Sequence, residues 1–255
     1  MTQTTAFYKA PRYVFRKLNI LAFLAKQNDI KTFLDVGCGA GELACTLAER
    51  GYKGTALDFS ENAIEVAEGI RKSRGIKKSQ LQFKLGGLEN VTGQQFDLVS
   101  CFEVLEHIKN DKQLLKELVT YSKKYVLISV PAKQKLYDAS DEAVGHFRRY
   151  EKHQLQKMLA ANNLEIIRFV NYGYPFTDMV RIARKTFFNL KLKKNKQSSM
   201  KDRSKESGIN PIKMPAVVSK IDAEIALKPF YHVSRAFNKH NLSEGYLVLC
   251  QKKNS

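Results

Sequence analysis

The 255-residue chain has few cysteines, and none of them are spaced as a familiar site requires. Cys38, Cys45, Cys101 and Cys250 are scattered, with no C-x-x-C pair. This spacing excludes a zinc ribbon and a dithiol redox centre of the usual kind. Cys38 lies in a glycine-rich stretch and Cys101 ends an apolar run, which favours reduced thiols over disulfides.

Long apolar runs are missing as well. No stretch approaches the ~18 residues of a membrane-spanning helix. The first residues, MTQTTAFYKAPRYVF, lack the charged-then-apolar layout of a signal peptide. Together these two absences predict a cytoplasmic protein.

Acidic residues are scarce relative to basic ones. The chain has 25 Asp and Glu against 43 Lys and Arg, a formal net charge of +18. Such an excess favours polyanionic partners, namely nucleic acid, an anionic membrane surface or a phosphorylated substrate. Solubility alone is the alternative explanation.

What the chain does have is an alternation of short apolar strands and amphipathic helices. Residues 7–27 predict an N-terminal helix. The predicted strands are TFLDV, GTALD, LQFKL, FDLVSC, YVLISVP, LEIIRFV and EGYLVLCQKK. Helices of about ten to fifteen residues between the early strands predict crossover units and a parallel sheet within an α/β fold.

Two later regions break this alternation. Residues 132–150 predict a polar loop. Within residues 171–243, the segment FTDMVRIARKTFFNL predicts a helix, a lysine-rich solvated stretch follows, and residues 217–239 predict a last helix. The mixture of apolar and basic residues in MVRIARKTFFNLKLKK is typical of a helix on a membrane surface.

The stretch FLDVGCGAGELACTLAERG has the form of a nucleotide cradle. A strand ending near Asp35 is followed by Gly37, Cys38 and Gly39, and then by a helix. Glycines let a ligand approach the backbone, and a helix start offers free N–H groups. Asp58, about twenty residues further on at the end of the next strand, is placed to accept ribose hydroxyls.

The spacing of the glycines separates two ligand classes. A dinucleotide fingerprint has the pattern G-x-G-x-x-G. Here the third glycine comes one residue early, and Glu42 occupies the position expected for it. A carboxylate there would oppose a pyrophosphate. The pattern therefore favours an adenosine ligand with a zwitterionic amino-acid tail.

These segments resemble the class I S-adenosylmethionine-dependent methyltransferases. LDVGCGAGELACTLAERGYKGTALDFSENAIEVA is similar to the first two motifs of that family, and FDLVSCFEVLEHI to its fourth-strand segment. ISVP, with the later GHFRRYEKHQLQKMLAANNLEI, resembles the subgroup that includes ubiquinone-biosynthesis O-methyltransferases.

The resemblance implies a single domain with a Rossmann-like, seven-stranded, mostly parallel sheet. The last strand is antiparallel and helices cover both faces. In this layout residues 1–28 form a helical cap and 29–170 the cofactor-binding core. Residues 171–243 form a helical, basic insertion between strands 6 and 7, and residues 244–255 hold the last strand and tail.

The resemblance also assigns roles in binding S-adenosylmethionine. It places Asp35, Gly37, Cys38 and Gly39 at the methionine part and Asp58 at the ribose. Phe59 would lie against adenine, with Gly87, Leu88 and Glu89 on its other side. Cys101 and Phe102 would lie near the sulfonium. Many relatives have aspartate where Gly87 stands, so the backbone or Glu89 is expected to contact the adenine amino group.

A second group of residues predicts the chemistry. Glu103, Glu106 and His107 have the spacing i, i+3, i+4, which on a helix places all three on one face. With His146 from the later loop they could ligate Mg²⁺ or another divalent ion. Without a metal, His107 or His146 would be the general base, and a structural role for the acidic residues remains open. The E-x-x-E-H pattern resembles metal-dependent O-methyltransferases that act on polyprenylated catechols or on the terminal 2′-hydroxyl of small RNAs.

Three functions remain open at this point. The first is methyl transfer to a hydroxyl of a small or lipidic metabolite, with His107, His146 and Glu106 as base or ligands. The second is an RNA 2′-O-methyltransferase that holds phosphates through the basic insertion. The third is an S-adenosylmethionine-binding protein without catalytic activity.

Overall fold

A computed structural model describes residues 10–182 and 223–253. Seven strands form one sheet: β1 (Thr32–Val36), β2 (Lys53–Asp58), β3 (Leu81–Leu85), β4 (Phe96–Phe102), β5 (Ser122–Pro131), β6 (Leu164–Tyr172) and β7 (Gly245–Lys252). The helices are α1 (Pro11–Leu24), α2 (Glu42–Glu49), α3 (Glu61–Ser73), α4 (Asp111–Tyr121), α5 (Ala139–Val144), α6 (Lys152–Ala160) and α7 (Ala223–Arg235). Residues 176–182 form a further helical segment.

The order of strands across the sheet is β3-β2-β1-β4-β5-β7-β6. Strands β1 to β5 pair in parallel, whereas β7 is antiparallel to both β5 and β6. The predicted Rossmann-like fold is confirmed. The order reverses between β1 and β4, and in such sheets ligands bind outside the carboxyl ends of the strands at this point.

The sheet is covered on both faces because its strands are apolar at successive positions. Phe33 and Leu98 pack into one hydrophobic cluster with helices α1, α2 and α3. Their neighbours Leu34 and Val99 point the other way, into a second cluster with α4 and α6. Alternation of side chains along a strand sends adjacent residues to opposite faces.

Two predictions about local structure are wrong. The region 132–150 contains a short 3₁₀ turn at Gln134–Leu136 and helix α5, which begins with a capping box formed by Asp138 and Asp141. The E-x-x-E-H segment is not an α-helix, since only a 3₁₀ turn spans Leu105–His107. The lysine-rich stretch, residues 183–190 of the predicted helix 176–190 and residues 217–222 of the predicted helix 217–239 lie outside the described residues, whereas Ala223–Arg235 is helical as predicted.

Helix α1 is fixed over the sheet by a buried ion-pair network. The ammonium of Lys17 lies 2.8 Å from a carboxylate oxygen of Glu42 and 2.6 Å from one of Glu224. Arg74 also pairs with Glu42, at 3.1 Å, and the Tyr13 hydroxyl donates to it. These contacts connect α1 to the start of α2, directly after the glycine loop, and to α7.

In the part of the chain that the structure describes, every helix falls short of the length and apolarity needed to cross a bilayer.

Candidate active site

The glycine loop joins β1 to α2 at the switch point of the sheet. Gly37, Gly39 and Gly41 all have left-handed backbones, with φ of 76°, 53° and 69°. A Cβ on Gly37 would collide with Val104, and one on Gly41 would lie 2.5 Å from Phe83. A Cβ on Gly39 would meet nothing within 4 Å. Two glycines therefore serve packing, while Gly39 faces open space that a ligand can enter.

Asp58 stands at the end of β2, beside this open space. One of its oxygens accepts from the backbone nitrogen of Gly39 at 2.8 Å, and the other from that of Ser60 at 2.9 Å. A carboxylate has about four lone-pair sites, so both oxygens retain capacity for ribose hydroxyls. The side chain thus closes the loop and still presents acceptors to a ligand.

Phe59, Gly87 and Glu89 come together next to Asp58, as the sequence predicted for an adenine slot. The Phe59 side chain is 67% exposed. A Cβ on Gly87 would lie 2.8 Å from the Phe59 ring and 2.7 Å from Glu89 Oε2, so a larger residue here would require these two side chains to shift. Gly87 N donates to Glu89 Oε1 at 2.6 Å. Leu88 is half-buried and begins the 3₁₀ turn Leu88–Val91.

Asp35 lies at the end of β1 beside Ser100 of β4, its register partner. The Ser100 hydroxyl donates to Asp35 Oδ1 at 2.8 Å. Burial raises the pKa of Asp35 to about 6, although Ser100 and Arg16 oppose this rise. A buried carboxylate held beside the glycine loop suits an ammonium ligand, because an added cation would offset its desolvation.

The thiols of the site are not reactive groups. Cys38, in the glycine loop, and Cys101, near the end of β4, are both free. Burial raises the pKa of each thiol well above its usual value. Next to Cys101, Phe102 is 8% exposed, and the Arg16 guanidinium lies over its ring at 5.8 Å from the centroid.

Glu42 is not the free carboxylate that the sequence comparison of ligand classes assumed. Its carboxylate is buried and paired with Lys17 and Arg74, and it also accepts from the Thr46 hydroxyl at 3.4 Å. Paired in this way, the charge is largely neutralised and would oppose a pyrophosphate much less than a free carboxylate. The preference for an adenosine ligand therefore depends on the loop and Asp58.

Glu103 does not share a helical face with Glu106 and His107. It has a left-handed backbone, with φ of 57°, directly after β4. Its carboxylate accepts from Arg12 at 2.5 Å and from Ser129 Oγ at 2.8 Å. Burial would raise the pKa of Glu103, but these partners and Arg16 lower it to about 2. The structure therefore places Glu103 with the arginines of α1.

Glu106, His107 and His146 do come together. One ligand atom from each lies within 4.8 Å of the others. The two imidazole rings meet edge to face, with centroids 4.6 Å apart. Glu106 is fully buried, and among the described residues neither of its carboxyl oxygens has a hydrogen-bond partner. Burial and the nearby Glu103 charge raise the pKa of Glu106 well above its usual value.

The surroundings of the two histidines bear on the protonation of His107 and on the tautomer of His146. Burial and the neighbouring His146 lower the pKa of His107 to about 4, so His107 is neutral at physiological pH. His146 Nδ1 lies 2.7 Å from Asp141 Oδ1, and Arg149 Nε lies 2.9 Å from the other Asp141 oxygen. Burial would raise the pKa of Asp141, but these two bonds lower it to about 2. An ionised Asp141 can only accept, so Nδ1 of His146 carries a proton, and in the neutral ring Nε2 is then the acceptor.

The sequence did not reveal several residues of this site. Arg12 and Arg16 reach it from α1, and Asp141 orients His146 from α5. Among these missed residues, only Ser100 and Ser129 could have been noticed in the sequence, because each is a polar residue within an apolar strand. Of the paired arginines, Arg149 binds Asp141 and Arg148 binds Asp111, at 2.8 Å for the latter.

The comparisons with known proteins agree with this geometry. A family model described as a methyltransferase domain, Methyltransf_23, matches residues 8–168. Curated relatives carry the name ubiquinone biosynthesis O-methyltransferase. The protein from Rickettsia conorii (strain ATCC VR-613 / Malish 7) is 38% identical over 103 residues, 40% of this chain and 35% of its own. The protein from Rickettsia prowazekii (strain Madrid E) is 35% identical over 113 residues, which are 44% of this chain and 42% of its own. The match thus spans about four tenths of each relative's length.

Solved structures share the fold at low sequence identity. Magnesium protoporphyrin IX methyltransferase (ChlM) from Synechocystis PCC 6803, with bound SAH, superposes with a TM-score of 0.55 and 21% identity, over 68% of this chain and 84% of that one. The [4+2]-cyclase SpnF superposes with a TM-score of 0.61 and 15% identity, over 99% of this chain and 86% of the cyclase chain. Because a cyclase shares this fold, the fold alone does not decide the reaction.

Proposed function

The chain belongs to the methyltransferase-domain family, and from this premise we propose that it transfers the methyl group of S-adenosylmethionine to a hydroxyl oxygen. The single observation that supports cofactor binding best is the open space at Gly39. It lies beside Asp58, with the exposed Phe59 ring next in the chain. Backbone, carboxylate and aromatic face are contacts that together suit a nucleoside. The name of the Rickettsia relatives supports an oxygen as acceptor.

The methionine tail would lie toward Asp35 and Arg16. Asp35 offers a buried carboxylate to its ammonium group. Arg16 pairs with Glu103 at 3.4 Å, and its charge lowers the pKa of both Glu103 and Asp35. A cation in that position suits the carboxylate of the tail.

Replacing Gly39 with alanine should weaken binding of S-adenosylmethionine at least about tenfold, because the new Cβ occupies the ligand space and the left-handed φ strains the loop. Isothermal titration calorimetry measures the effect. Gly75→Ala is the matched control. Gly75 follows α3 with φ of 67°, and a Cβ there also meets nothing within 4 Å. Both variants should lose similar stability, about 1 kcal/mol, and equal loss of affinity in both would contradict the proposed site.

Glu106, His107 and His146 fit a divalent ion. Two imidazoles and one carboxylate form a common ligand set for such ions, and the unpartnered Glu106 oxygens would gain a partner. The His146 ring is already oriented by Asp141, as ligating histidines usually are. A bound divalent ion would lower the pKa of a coordinated hydroxyl and orient it.

The protein's own residues supply the remaining steps. The acceptor oxygen attacks the methyl carbon, the bond from this carbon to sulfur breaks, and S-adenosylhomocysteine leaves. When no ion is bound, the hydroxyl proton passes to Nε2 of His146, which Asp141 holds in the acceptor tautomer; with an ion bound, Nε2 would be a ligand instead. The resulting imidazolium is stabilised by the Asp141 carboxylate.

Methyl-labelled S-adenosylmethionine and fractionated cell extract test the function. Label is expected in a small-molecule or lipid fraction, and chelation by EDTA should reduce it if the metal is required. Label confined to RNA would favour the 2′-O-methyltransferase alternative. Cofactor binding without labelling of any fraction would favour a non-catalytic binding protein.

A lipidic acceptor is supported by exposed apolar side chains on two adjoining helical segments. Met179 and Ile182 on residues 176–182, and Ile225 on α7, are 64%, 58% and 73% exposed. The segments are joined by a ring contact of 4.9 Å between Phe176 and Phe230. In a chain with a net charge of +18, these side chains suit insertion into an anionic membrane surface.

Vesicle flotation tests this membrane contact. The protein should float with vesicles rich in phosphatidylglycerol, and the double change Ile182→Glu with Ile225→Glu should reduce the bound fraction several-fold, since buried charge opposes insertion. Leu85→Glu is the control, because Leu85 is 49% exposed on β3, at the other edge of the sheet from β6. Equal loss in both variants, or no flotation of the unchanged protein, would remove the membrane surface as a partner.

A further inference from the structure

Arg149 is a buried cation that the proposed reaction does not yet explain. Its side chain is only 1% exposed. The Nε atom donates to both carboxylate oxygens of Asp141, at 3.1 and 2.9 Å. Because Asp141 orients His146, a change in the position of Arg149 would be passed on to the imidazole ring. Stability alone is a weak reason to bury an arginine, since apolar side chains of similar size often stabilise an interior as well as an ion pair does.

Glu244 lies at the other end of the Arg149 guanidinium. Its side chain is 4% exposed, and its Oε2 atom lies 3.9 Å from Nη1 of Arg149. Glu244 directly precedes β7, and its carbonyl oxygen accepts from the backbone nitrogen of Ala132, just after β5, at 2.7 Å. The backbone of Glu244 is therefore fixed to the sheet. A planar guanidinium that meets two carboxylates through different nitrogens is restricted in rotation as well as in position.

The charges continue beyond Glu244 to the helical segment of residues 176–182. Nε of Arg181 lies 3.9 Å from Glu244 Oε2 and 3.9 Å from Asp178 Oδ1. The Ser243 hydroxyl donates to the other Asp178 oxygen at 2.7 Å. The resulting chain of alternating charges is, in order, Asp141, Arg149, Glu244, Arg181 and Asp178. Removing an inner member leaves its neighbours with less counter-charge in the protein interior, which is costly.

We propose that Arg149 and Glu244 are positioning residues for methyl transfer: Glu244 fixes Arg149, and Arg149 fixes the Asp141 carboxylate that orients His146. The inference rests on the proposed function and adds two residues that act through His146 rather than on the substrate. The physical reason is geometric. The Nε2 atom of His146 has to stay aimed at one point, and a displacement of about 1 Å in such a site can cost about a hundredfold in rate.

The proton on Nδ1 of His146 tests this inference without any methyl acceptor. In the complex with S-adenosylhomocysteine, its 2.7 Å hydrogen bond to Asp141 should give a slowly exchanging downfield NMR signal, identified by its loss in His146→Ala. Glu244→Gln should raise the exchange rate of this proton with water at least about tenfold, because Asp141 is held less firmly. Arg149→Lys is the second variant, should Glu244→Gln fail to fold. It should have the same effect, since lysine keeps the charge but lacks the planar fork.

Glu68→Gln is the matched control for the exchange measurement. Glu68 is half-buried and pairs with Arg71 at 2.6 Å on α3, which packs against α2, β2 and β3. Loss of this ion pair should leave the exchange rate of the His146 proton unchanged. Equal exchange rates in Glu68→Gln, Glu244→Gln and Arg149→Lys would overturn the proposal, as would the absence of the signal from the unchanged protein.

A double-mutant cycle supplies the kinetic test. Glu244→Gln should lower kcat about 10- to 100-fold with KM for S-adenosylmethionine unchanged, yet lower it little further when His146 is already alanine. A residue with a merely structural role would lower kcat by the same factor in both backgrounds, and that result would overturn the proposal. Absence of methyl transfer together with the expected exchange response would overturn the proposed function. Methyl transfer with an unaltered exchange rate would overturn this inference alone.

Discussion

Changing His146 to alanine is expected to lower the rate of methyl transfer about 10²- to 10⁴-fold while affinity for S-adenosylmethionine stays nearly unchanged. The Nε2 atom of His146 lies 3.9 Å from a Glu106 oxygen and is the acceptor that the Asp141 contact leaves available. Its loss would remove a base or a ligand from the Glu106, His107 and His146 cluster. The measurements are single-turnover kinetics for the reaction and calorimetry for the cofactor.

His153→Ala is the control for this prediction, because His153 is exposed on α6. Glu106→Gln and His107→Ala should each give losses comparable to that of His146→Ala. Combining two of these changes should add little, since residues that act as a unit are strongly non-additive. If His146→Ala retained the rate of His153→Ala, the assignment of this cluster to catalysis would be wrong.

Changing Asp35 to asparagine should nearly abolish binding of S-adenosylmethionine yet make the protein more stable at pH 7 to 8. The cofactor's ammonium group would lose its carboxylate partner. The pKa of Asp35, raised by burial to about 6, means that the folded protein holds this proton more tightly than the unfolded chain. The stabilising contribution of the protonated form is present below about pH 4 and is lost as the pH rises through about 6.

Above about pH 6 the unchanged protein is therefore destabilised by the buried, ionised carboxylate of Asp35. The Asp35→Asn change removes this destabilisation. We expect the free energy of unfolding of Asp35→Asn to exceed that of the unchanged protein by about 1–3 kcal/mol. This difference should grow between about pH 4 and pH 6 and then stay constant. Urea unfolding across this pH range measures it. Asp97→Asn is the opposite control, because three hydrogen bonds from Lys31 and Thr32 to Asp97 lower its pKa. That variant should lose stability at pH 7 and keep cofactor binding. Destabilisation by Asp35→Asn would contradict the argument.

The grouping of the glycine loop with Asp58 was largely predictable because its signals are local. Gly37, Gly39 and Asp58 follow strands that their own apolar pattern defines, and a parallel sheet brings the carboxyl ends of its strands to one edge. The grouping of the acidic residues with the histidines was less predictable. Helical spacing suggested one face for Glu103, Glu106 and His107, but the left-handed residue at Glu103 and the 3₁₀ turn after it separate them.

The amino-acid sequence by itself determined the α/β fold, the glycine loop and the residues that could meet a nucleoside, since periodicity and turn chemistry act over short distances. Only the tertiary structure decided which charges are paired. Arg12 pairs with Glu103, which is 91 positions away in the chain. Asp141 orients His146 through a contact that the sequence spacing does not predict. Packing of α1 and α5 against the carboxyl edge sets these partners. The pKa of a buried acidic or basic group depends on such neighbours rather than on the position of the group in the sequence.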